Sequence, residues 1–305
     1  MTKTLKTVTK NRIFKTFMLA AFALATNSQP SLIQASEILI NDNAKLVSIG
    51  WPVTETIIAL GDKDRLVGVD KRSTFMKEGR DLTNIGAAAT IDLAAIKKVD
   101  GQTVLALEGA LNKDNLTSIE NNKIPVLIIP DDHSEDGVIE KISFIGHALN
   151  HEDKVNELIA RIKNDFNKAN SIKAELTTKK KVLFLLTVPS GDKEVGPIFM
   201  AGKNTPANDI IVLSGGENAA ANLESYVPLD KEQVTKMAPD LILSMSNDGF
   251  PTVETLLEQA PLQDTPAVKN KDLLRLDGLK LLGFGPDTGI IMQEIAQKLV
   301  DIQNR

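Results

Sequence analysis

Four side chains have the chemistry to hold a flat, anionic ligand, and each follows a short apolar run typical of a strand. Arg72 can pair with a carboxylate through its planar guanidinium, whereas Lys71 and Lys203 act as point charges. Trp51, the only tryptophan, could stack on a flat ring. The simpler interpretation is solvated loop charge for the three cations and core packing for Trp51.

Two further residues carry atoms that bind metals. Tyr226 is the only tyrosine, and its phenolate could bind iron. His133 follows two aspartates in a predicted loop and carries an imidazole. Packing with one hydrogen bond is the simpler interpretation of Tyr226, and polar surface is the simpler interpretation of His133. Both are kept as metal-ligand candidates behind those roles.

The patterns of an enzyme site are missing from the sequence. The chain has no cysteine, which excludes disulfides, thiolate metal sites and cysteine nucleophiles. Its three histidines do not suggest a catalytic metal cluster, and no serine, histidine and acid follow a strand in the manner of a hydrolase triad. The segment at 283–286 does not match a phosphate or dinucleotide loop. We expect a binding protein without a catalytic cofactor.

The first 35 residues have the layout of a secretory signal. Five basic residues and no acidic residue precede an apolar run at 17–25, and polar residues then lead to Ala35. Because a spanning helix needs roughly twenty apolar residues, a cleaved signal peptide at 1–35 is favoured over a membrane anchor or a loose helix. Its removal from the 305 residues would leave 270 in the periplasm.

The chain is acidic, and export would make it more so. It has 35 basic and 40 acidic side chains and a net charge of −5, which becomes −10 when the five basic residues of the signal are lost. An acidic protein has no electrostatic attraction to nucleic acid or to anionic membranes. With no cysteine to carry a lipid, we expect a free periplasmic monomer with no nucleic-acid partner.

Short β-branched runs alternate with helical stretches, which predicts an α/β fold with mostly parallel sheets. An internal repeat predicts two similar lobes, since the segment at 92–105 resembles the segment at 230–243, each reading as a short helix, a turn and a buried strand. The predicted strands are 45–49, 66–69, 103–107, 126–129, 181–186, 241–244 and 273–276.

A helical stretch separates the two halves of this repeat. Residues 138–177 contain no proline and carry apolar residues three and four apart, which predicts one long amphipathic helix. The alternative is a helical hairpin inside one domain. We divide the chain into an N-terminal lobe at 36–137, a linker helix at 138–177 and a C-terminal lobe at 178–305. Because ligands bind at the carboxyl ends of parallel strands, a cleft between the lobes is expected.

Several segments carry a family resemblance. They are Val-Thr-Glu-Thr-Ile-Ile-Ala-Leu-Gly at 53–61, Arg-Leu-Val-Gly-Val at 65–69, Phe-Met-Ala-Gly-Lys-Asn-Thr at 199–205, Leu-Ser-Gly-Gly-Glu-Asn-Ala at 213–219, and the run from Asp-Gly-Leu-Lys to Phe-Gly-Pro at 277–286. With them the chain resembles the periplasmic binding proteins for haem, siderophores and cobalamin, and the haem-binding branch most of all. The resemblance covers residues 44–305.

The resemblance implies a two-lobed protein with a helical linker and little closure motion. It implies haem as the transported ligand, an inner-membrane ABC permease with its ATPase as partners, and an outer-membrane receptor as a source of the ligand. Haem requires an apolar slot and cations for two propionates. Phe284, inside the motif at 277–286, then joins Trp51, Lys71, Arg72 and Lys203 as a ligand-binding candidate.

One position departs from the haem branch. Relatives there carry an iron-binding tyrosine after the residue that matches Gly86, with an arginine two residues on, whereas this chain has Ala87 and Ala89. A methyl group can neither bind iron nor pair with a propionate. Two other hypotheses therefore stay open: a ferric siderophore or corrinoid bound by the same fold, and a periplasmic interaction protein that does not transport.

The resemblance also implies a docking surface for the permease. Glu232 matches a glutamate that, in this class, meets arginines of the permease. The corresponding position of the first lobe is Ala94, and Asp92 nearby is a candidate substitute.

Overall fold

The first sheet consists of four parallel strands built from predicted β-branched runs. A computed structural model describes residues 39–187, 196–246, 255 and 261–305, so the predicted signal peptide lies outside the described residues. The strands lie in the order β2-β1-β3-β4. They are β1 (Leu46–Ile49), β2 (Leu66–Val69), β3 (Thr103–Leu107) and β4 (Val126–Ile129).

The second sheet is mixed. Its main path has the order β10-β9-β5-β6-β8, and β7 pairs with β5. The pairs of β5 with β9 and of β9 with β10 are parallel, whereas β6 is antiparallel to both β5 and β8. The strands are β5 (Lys181–Thr187), β6 (Ile198–Ala201), β7 (Glu217–Asn218), β8 (Tyr226–Pro228), β9 (Leu241–Met245) and β10 (Leu273–Leu276).

Helices cover the faces of these sheets, as continuously apolar parallel strands require. Successive residues of a strand point to opposite faces, so Leu105 of β3 joins one core cluster while Val104 and Ala106 join another. The described α-helices are α1 (Trp51–Ala59), α2 (Leu93–Lys98), α3 (Lys113–Asn121), α4 (Glu135–Ala148), α5 (Glu152–Lys173), α6 (Pro206–Leu213), α7 (Lys231–Met237), α8 (Pro266–Lys269), α9 (Gly278–Gly283) and α10 (Thr288–Gln303).

The internal repeat predicted from the sequence is present in both lobes. The carboxylate of Asp92 accepts the backbone N–H of Ala95 and caps α2, and the carboxylate of Asp230 caps α7 in the same way. Eight residues after each cap the backbone turns through the left-handed region, at Asp100 and Ala238. Each turn leads into a buried strand, β3 or β9. The predicted α/β fold with two similar lobes is confirmed.

The stretch predicted as one linker helix contains two, which corrects that prediction. Helix α4 ends at Ala148 and α5 begins at Glu152. Asn150 takes a left-handed φ of 59°, and the N–H of His151 closes the turn on the carbonyl of Gly146 at 2.9 Å. The longer helix, α5, has 22 residues and spans about 33 Å. None of the described helices is both long and apolar enough to span a bilayer.

Helices α5 and α10 join the lobes through one continuous core. The side-chain amide of Gln293 donates to the carbonyl of Asp165 at 3.0 Å, and Gly289 allows α10 to approach α5 closely. The largest core cluster includes Leu105 of the first sheet and Phe184 of the second. Relative movement of the lobes would disturb this shared core, which supports the expectation of little closure motion.

Candidate functional site

The loops after β1 and β2 bring Arg72 and Trp51 together. The Arg72 guanidinium carbon lies 5.4 Å from the centroid of the indole ring, within the range of a cation–π interaction. The indole N–H donates to the carbonyl of Leu279 in α9 at 2.8 Å, so Trp51 also bridges the two lobes. A Cβ at Gly283 would lie 2.5 Å from that indole nitrogen, which explains the glycine there. The exposed Arg72 and the partly buried Trp51 therefore form a charged and aromatic surface at the lobe junction.

Tyr226 lies in β8 of the second lobe and is partly buried. Burial raises the pKa of its phenol, while the positive charge of Arg72 lowers it and the negative charge of Asp209 raises it further. Arg72 belongs to the first lobe and Asp209 to the second, so the phenol lies within electrostatic reach of both. None of the described residues forms a hydrogen bond with its hydroxyl group. Tyr226 is therefore the metal-ligand candidate whose donor atom is available.

His133 connects the two lobes instead of facing a metal. Its Nδ1 lies 2.7 Å from Oδ2 of Asp209, in α6, and its Nε2 lies 3.5 Å from Oδ2 of Asp131. The ring stacks on Phe284 with 4.3 Å between the ring centroids. The hydrogen bond to Asp131 raises the pKa of His133, burial lowers it and Asp209 raises it again, so the net shift favours imidazolium. An imidazolium has no lone pair for a metal, and this arrangement does not support His133 as a ligand.

A buried lysine anchors the loop that carries His133. Lys141 of α4 has no exposed surface, and its ammonium nitrogen lies 2.7 Å from Oδ1 of Asp131 and 3.3 Å from the carbonyl of Phe284. Burial raises the pKa of Asp131, but hydrogen bonds and charge from His133 and Lys141 outweigh it, and the pKa lies below its ordinary value. We call Asp131, His133, Lys141, Asp209 and Phe284 the inter-lobe clasp.

The clasp gives a pH dependence that can be measured. Because the pKa of His133 is raised in the folded state, its stabilisation is complete below the unfolded value of about 6.5 and disappears as pH rises through the folded pKa. We expect the stability difference between the wild type and His133→Gln, about 1 kcal/mol at pH 6, to decrease as pH rises through the folded pKa of His133. Urea unfolding at several pH values measures it.

The matched control is His147→Gln, at a histidine in α4 that pairs with Glu152 outside the clasp. A difference between wild type and His133→Gln that stays constant with pH would contradict the ion-pair role.

The remaining ligand-binding candidates lie in both lobes, Lys71 and Ala87 in the first and Lys203 in the second. Lys71 and Ala87 are both exposed and adjoin, since the N–H of Lys71 donates to the carbonyl of Gly86 at 2.7 Å. Lys203 follows β6, which is antiparallel to β5, so the rule that placed it at a carboxyl strand end does not apply. Its ammonium nitrogen is also paired with Glu224 at 2.8 Å. An exposed ion pair of this kind contributes little and can be exchanged for another anion.

Phe284 takes a different place from the one expected of a ligand-binding residue. It has no exposed surface, and its left-handed backbone conformation ends α9. Its ring stacks on the ring of His133, and its carbonyl accepts a hydrogen bond from the ammonium group of Lys141. In this arrangement the ring has no face to offer a ligand.

The charged partners of the clasp were not predicted from the sequence. Asp131 was visible as part of an Asp-Asp-His run, but nothing in the sequence links it to Lys141 ten residues on or to Asp209. Within the described part of the chain, no group of three or more His, Asp or Glu residues could hold a metal ion.

The docking candidates occupy equivalent positions in the repeat. Glu232 and Ala94 are both exposed in the first turn of their helices. The carboxylate of Asp92 already accepts the N–H of Ala95 at 2.9 Å. Asp92 therefore has a structural role as the cap of α2. The Glu232 carboxylate, by contrast, forms no hydrogen bond or ion pair with any described residue.

Comparisons with known proteins agree with this architecture. The profile of the periplasmic binding protein family matches residues 46–278. The structure of the periplasmic heme-binding protein RhuT from Roseiflexus sp. RS-1 is similar, with a TM-score of 0.77 and 30% identity over 85% of this chain and 99% of that one.

Two relatives from other bacteria are similar in sequence. An uncharacterized ABC transporter substrate-binding lipoprotein, YvrC of Bacillus subtilis, is 26% identical over 84% of this chain and 79% of its own. A vitamin B12-binding protein of Vibrio parahaemolyticus is 25% identical over 68% of this chain and 74% of its own. With the repeated lobes and the family match over most of the chain, these likenesses lead to one conclusion: the chain belongs to the periplasmic binding protein family, the substrate-binding components of ABC importers.

Proposed function

We propose that this protein captures haem between its two lobes in the periplasm and delivers it to an inner-membrane ABC permease and its ATPase. The observation that carries the proposal is the exposed Arg72 held 5.4 Å from the centroid of the Trp51 indole ring at the lobe junction, and the charge of Arg72 also lowers the pKa of the Tyr226 phenol in the other lobe, against its burial. Haem combines a flat apolar ring, two carboxylates and an iron atom, and these three residues offer one partner for each. The resemblance to RhuT supports the same ligand.

The residues divide the recognition between them. Arg72 and Lys71 are exposed and would pair with propionates, Arg72 through its planar fork. Burial raises the pKa of the Tyr226 phenol, but a bound ferric ion and the cation of Arg72 both favour loss of its proton, so that Tyr226 would bind the iron as phenolate. Ala87 supplies no donor, and the nitrogens of His133 are already paired with Asp131 and Asp209. The iron ligand in this proposal therefore comes from the second lobe.

A corrinoid is the second candidate ligand. It is favoured by the similarity to the vitamin B12-binding protein and by the methyl side chains at Ala87 and Ala89, since a corrinoid brings its own metal ligands. Native mass spectrometry of the protein purified from its own periplasm distinguishes the two ligands by mass. A corrinoid mass would transfer the proposal to that ligand and remove the iron-binding role of Tyr226.

Haemin titration tests the proposal directly. The wild type is expected to give a saturable shift of the Soret band, and Tyr226→Phe to raise the Kd by about tenfold or more, which corresponds to about 1.4 kcal/mol. Ala87→Tyr is the matched gain-of-ligand variant and should partly restore the affinity of Tyr226→Phe. A wild-type spectrum that stays that of free haemin up to a large excess would overturn haem as the ligand.

Permease docking is proposed at the first turns of α2 and α7. The exposed Glu232 is the carboxylate available to a permease arginine, and Ala94 leaves the equivalent site of the first lobe without one. Docking would then be asymmetric, with Glu232 making the charged contact.

A further inference from the structure

A buried carboxylate bonds to both loops that carry the Arg72–Trp51 pair. Asp70 follows β2 and is only 1% exposed. Its Oδ2 accepts the backbone N–H of Gly50 at 2.9 Å and the hydroxyl of Ser73 at 2.6 Å. Its Oδ1 accepts the backbone N–H of Arg72 at 2.9 Å. A single side chain therefore connects the loop after β1 to the loop after β2.

A chain of buried hydroxyl groups extends this connection into the first lobe. The Ser73 hydroxyl lies 2.8 Å from the Thr54 hydroxyl in α1, which lies 2.6 Å from the Ser48 hydroxyl in β1. All three residues are fully buried. In a low-dielectric interior, such a satisfied network holds its members in one arrangement.

The bonds of Asp70 fall immediately beside the two residues that form the pair. Gly50 directly precedes Trp51, and its φ of 105° is one that favours glycine. A Cβ there would also lie 2.7 Å from Cβ of Leu107. The bond to Arg72 is made by its own N–H. The carboxylate thus fixes the backbone at both sides of the 5.4 Å contact between guanidinium and indole.

We propose that Asp70 is a positioning residue that holds Arg72 against Trp51 before a ligand arrives, and so sets the cationic, aromatic surface offered to a flat anionic ligand. The expected effect on ligand binding rests on the proposed function, whereas the role of Asp70 in holding Arg72 against Trp51 does not. A preorganised pair avoids ordering the long Arg72 side chain during binding, which improves affinity. Removal of Asp70 should therefore weaken binding through a residue that does not contact the ligand.

Trp51 provides the readout, because it is the only tryptophan and its fluorescence therefore reports on the surroundings of this one indole, Arg72 among them. Arg72→Met gives the reference spectrum of an indole without its cation. In the apo protein, Asp70→Asn is expected to move the emission towards that reference and to increase acrylamide quenching by about twofold, as the contact loosens. With haemin, its Kd should rise by about tenfold.

Asp272→Asn is the matched control. Asp272 is also 1% exposed, pairs with Lys298 at 3.0 Å and with Arg305, and precedes β10 at the strand end opposite the loop at 277–286. It should lose stability but keep the wild-type Trp51 emission, quenching and haemin affinity. If Asp70→Asn fails to fold, Ser73→Ala removes one of the bonds to Asp70 and should shift the emission in the same direction by less.

The outcomes separate the two proposals. Wild-type emission and quenching in folded Asp70→Asn, or changes equal to those of Asp272→Asn, would overturn the positioning role. Failure of the wild type to bind haemin would overturn haem as the ligand and leave the fluorescence result to decide the role of Asp70. A shifted emission with an unchanged haemin Kd would also overturn the proposed contribution to binding.

Discussion

Replacing Lys141 by alanine is expected to lower the free energy of unfolding by about 3 kcal/mol, the lower end of the range for breaking a buried ion pair. The ammonium group has no exposed surface and donates to Asp131 and to the carbonyl of Phe284. The side chain of Asp131 is 26% exposed, so water offsets part of the loss. The effect is large because one cation holds together the loop after β4 and the end of α9.

Urea unfolding at pH 7 measures this change, and two further variants interpret it. Lys141→Met keeps an apolar side chain of similar length. The stability that this variant loses therefore measures the removal of the charge, separately from the packing of the methylene groups. Lys168→Ala removes an exposed partner of Asp165 on α5 and should change stability by less than about 1 kcal/mol. A loss in Lys141→Ala no larger than that of Lys168→Ala would show that the clasp does not stabilise the fold.

The parallel strands and the repeat could be predicted from the sequence because their signals are local. A strand buried on both faces reads as a continuous apolar run, and the predicted bounds of β2, β3, β4 and β10 match the observed ones. The short helix capped by an aspartate recurs at the same spacing in both lobes. Each of these features is encoded within about fifteen residues.

The missed elements depend on contacts that are distant in sequence. Strands β6 and β8 have only four and three residues and acquire their antiparallel pairing from each other and from β5. The break between α4 and α5 turns on the left-handed Asn150, a residue type that tolerates this conformation and that could have marked the break. Apolar periodicity continues across that break and conceals it.

The candidate site was chosen from the sequence by residue type, because geometry is not visible there. Trp51, Arg72 and Tyr226 became candidates because a lone tryptophan, a loop arginine and a lone tyrosine are chemically distinctive, and they stay predictions. Their partners were not predicted, since Asp70 and Lys141 are acidic and basic residues like many others until burial is known. His133 and Phe284 changed role for the same reason, because each is held by a partner from a distant segment.

A second large effect is expected at Glu55 of α1, which lies one helical turn after Trp51 on the same face of the helix. Its partly buried carboxyl group lines a cavity of about 390 Å³ together with Arg161, Lys280 and Asp287. Burial first, and then the negative charge of Asp287, raise its pKa from 4.5 to about 8. A side chain at Gly285 would have to displace the Glu55 carboxylate, because its Cβ would overlap Oε2 of Glu55.

The sign of the effect follows from this shift. Between pH 4.5 and about 8 the folded protein keeps the Glu55 proton while the unfolded chain has lost it, so stability falls as pH rises through that window. Glu55→Gln keeps the shape and removes the titration. We expect it to stabilise the protein by about 2 kcal/mol at pH 8 and by little at pH 5, less than the full shift implies because solvent screens a carboxyl group that is only partly buried.

Thermal or urea unfolding of the two proteins between pH 5 and about 9 tests the prediction through the difference between their curves. Glu78→Gln is the control for a carboxyl-to-amide change, because Glu78 lines the same cavity but is exposed, and it should stabilise the protein at pH 8 by less than Glu55→Gln does. A difference for Glu55→Gln that is equally large at pH 5 and pH 8 would mean that the amide acts through packing. The carboxyl group would then be as well solvated as an exposed one, and the cavity would hold enough water to keep Glu55 ionised at neutral pH.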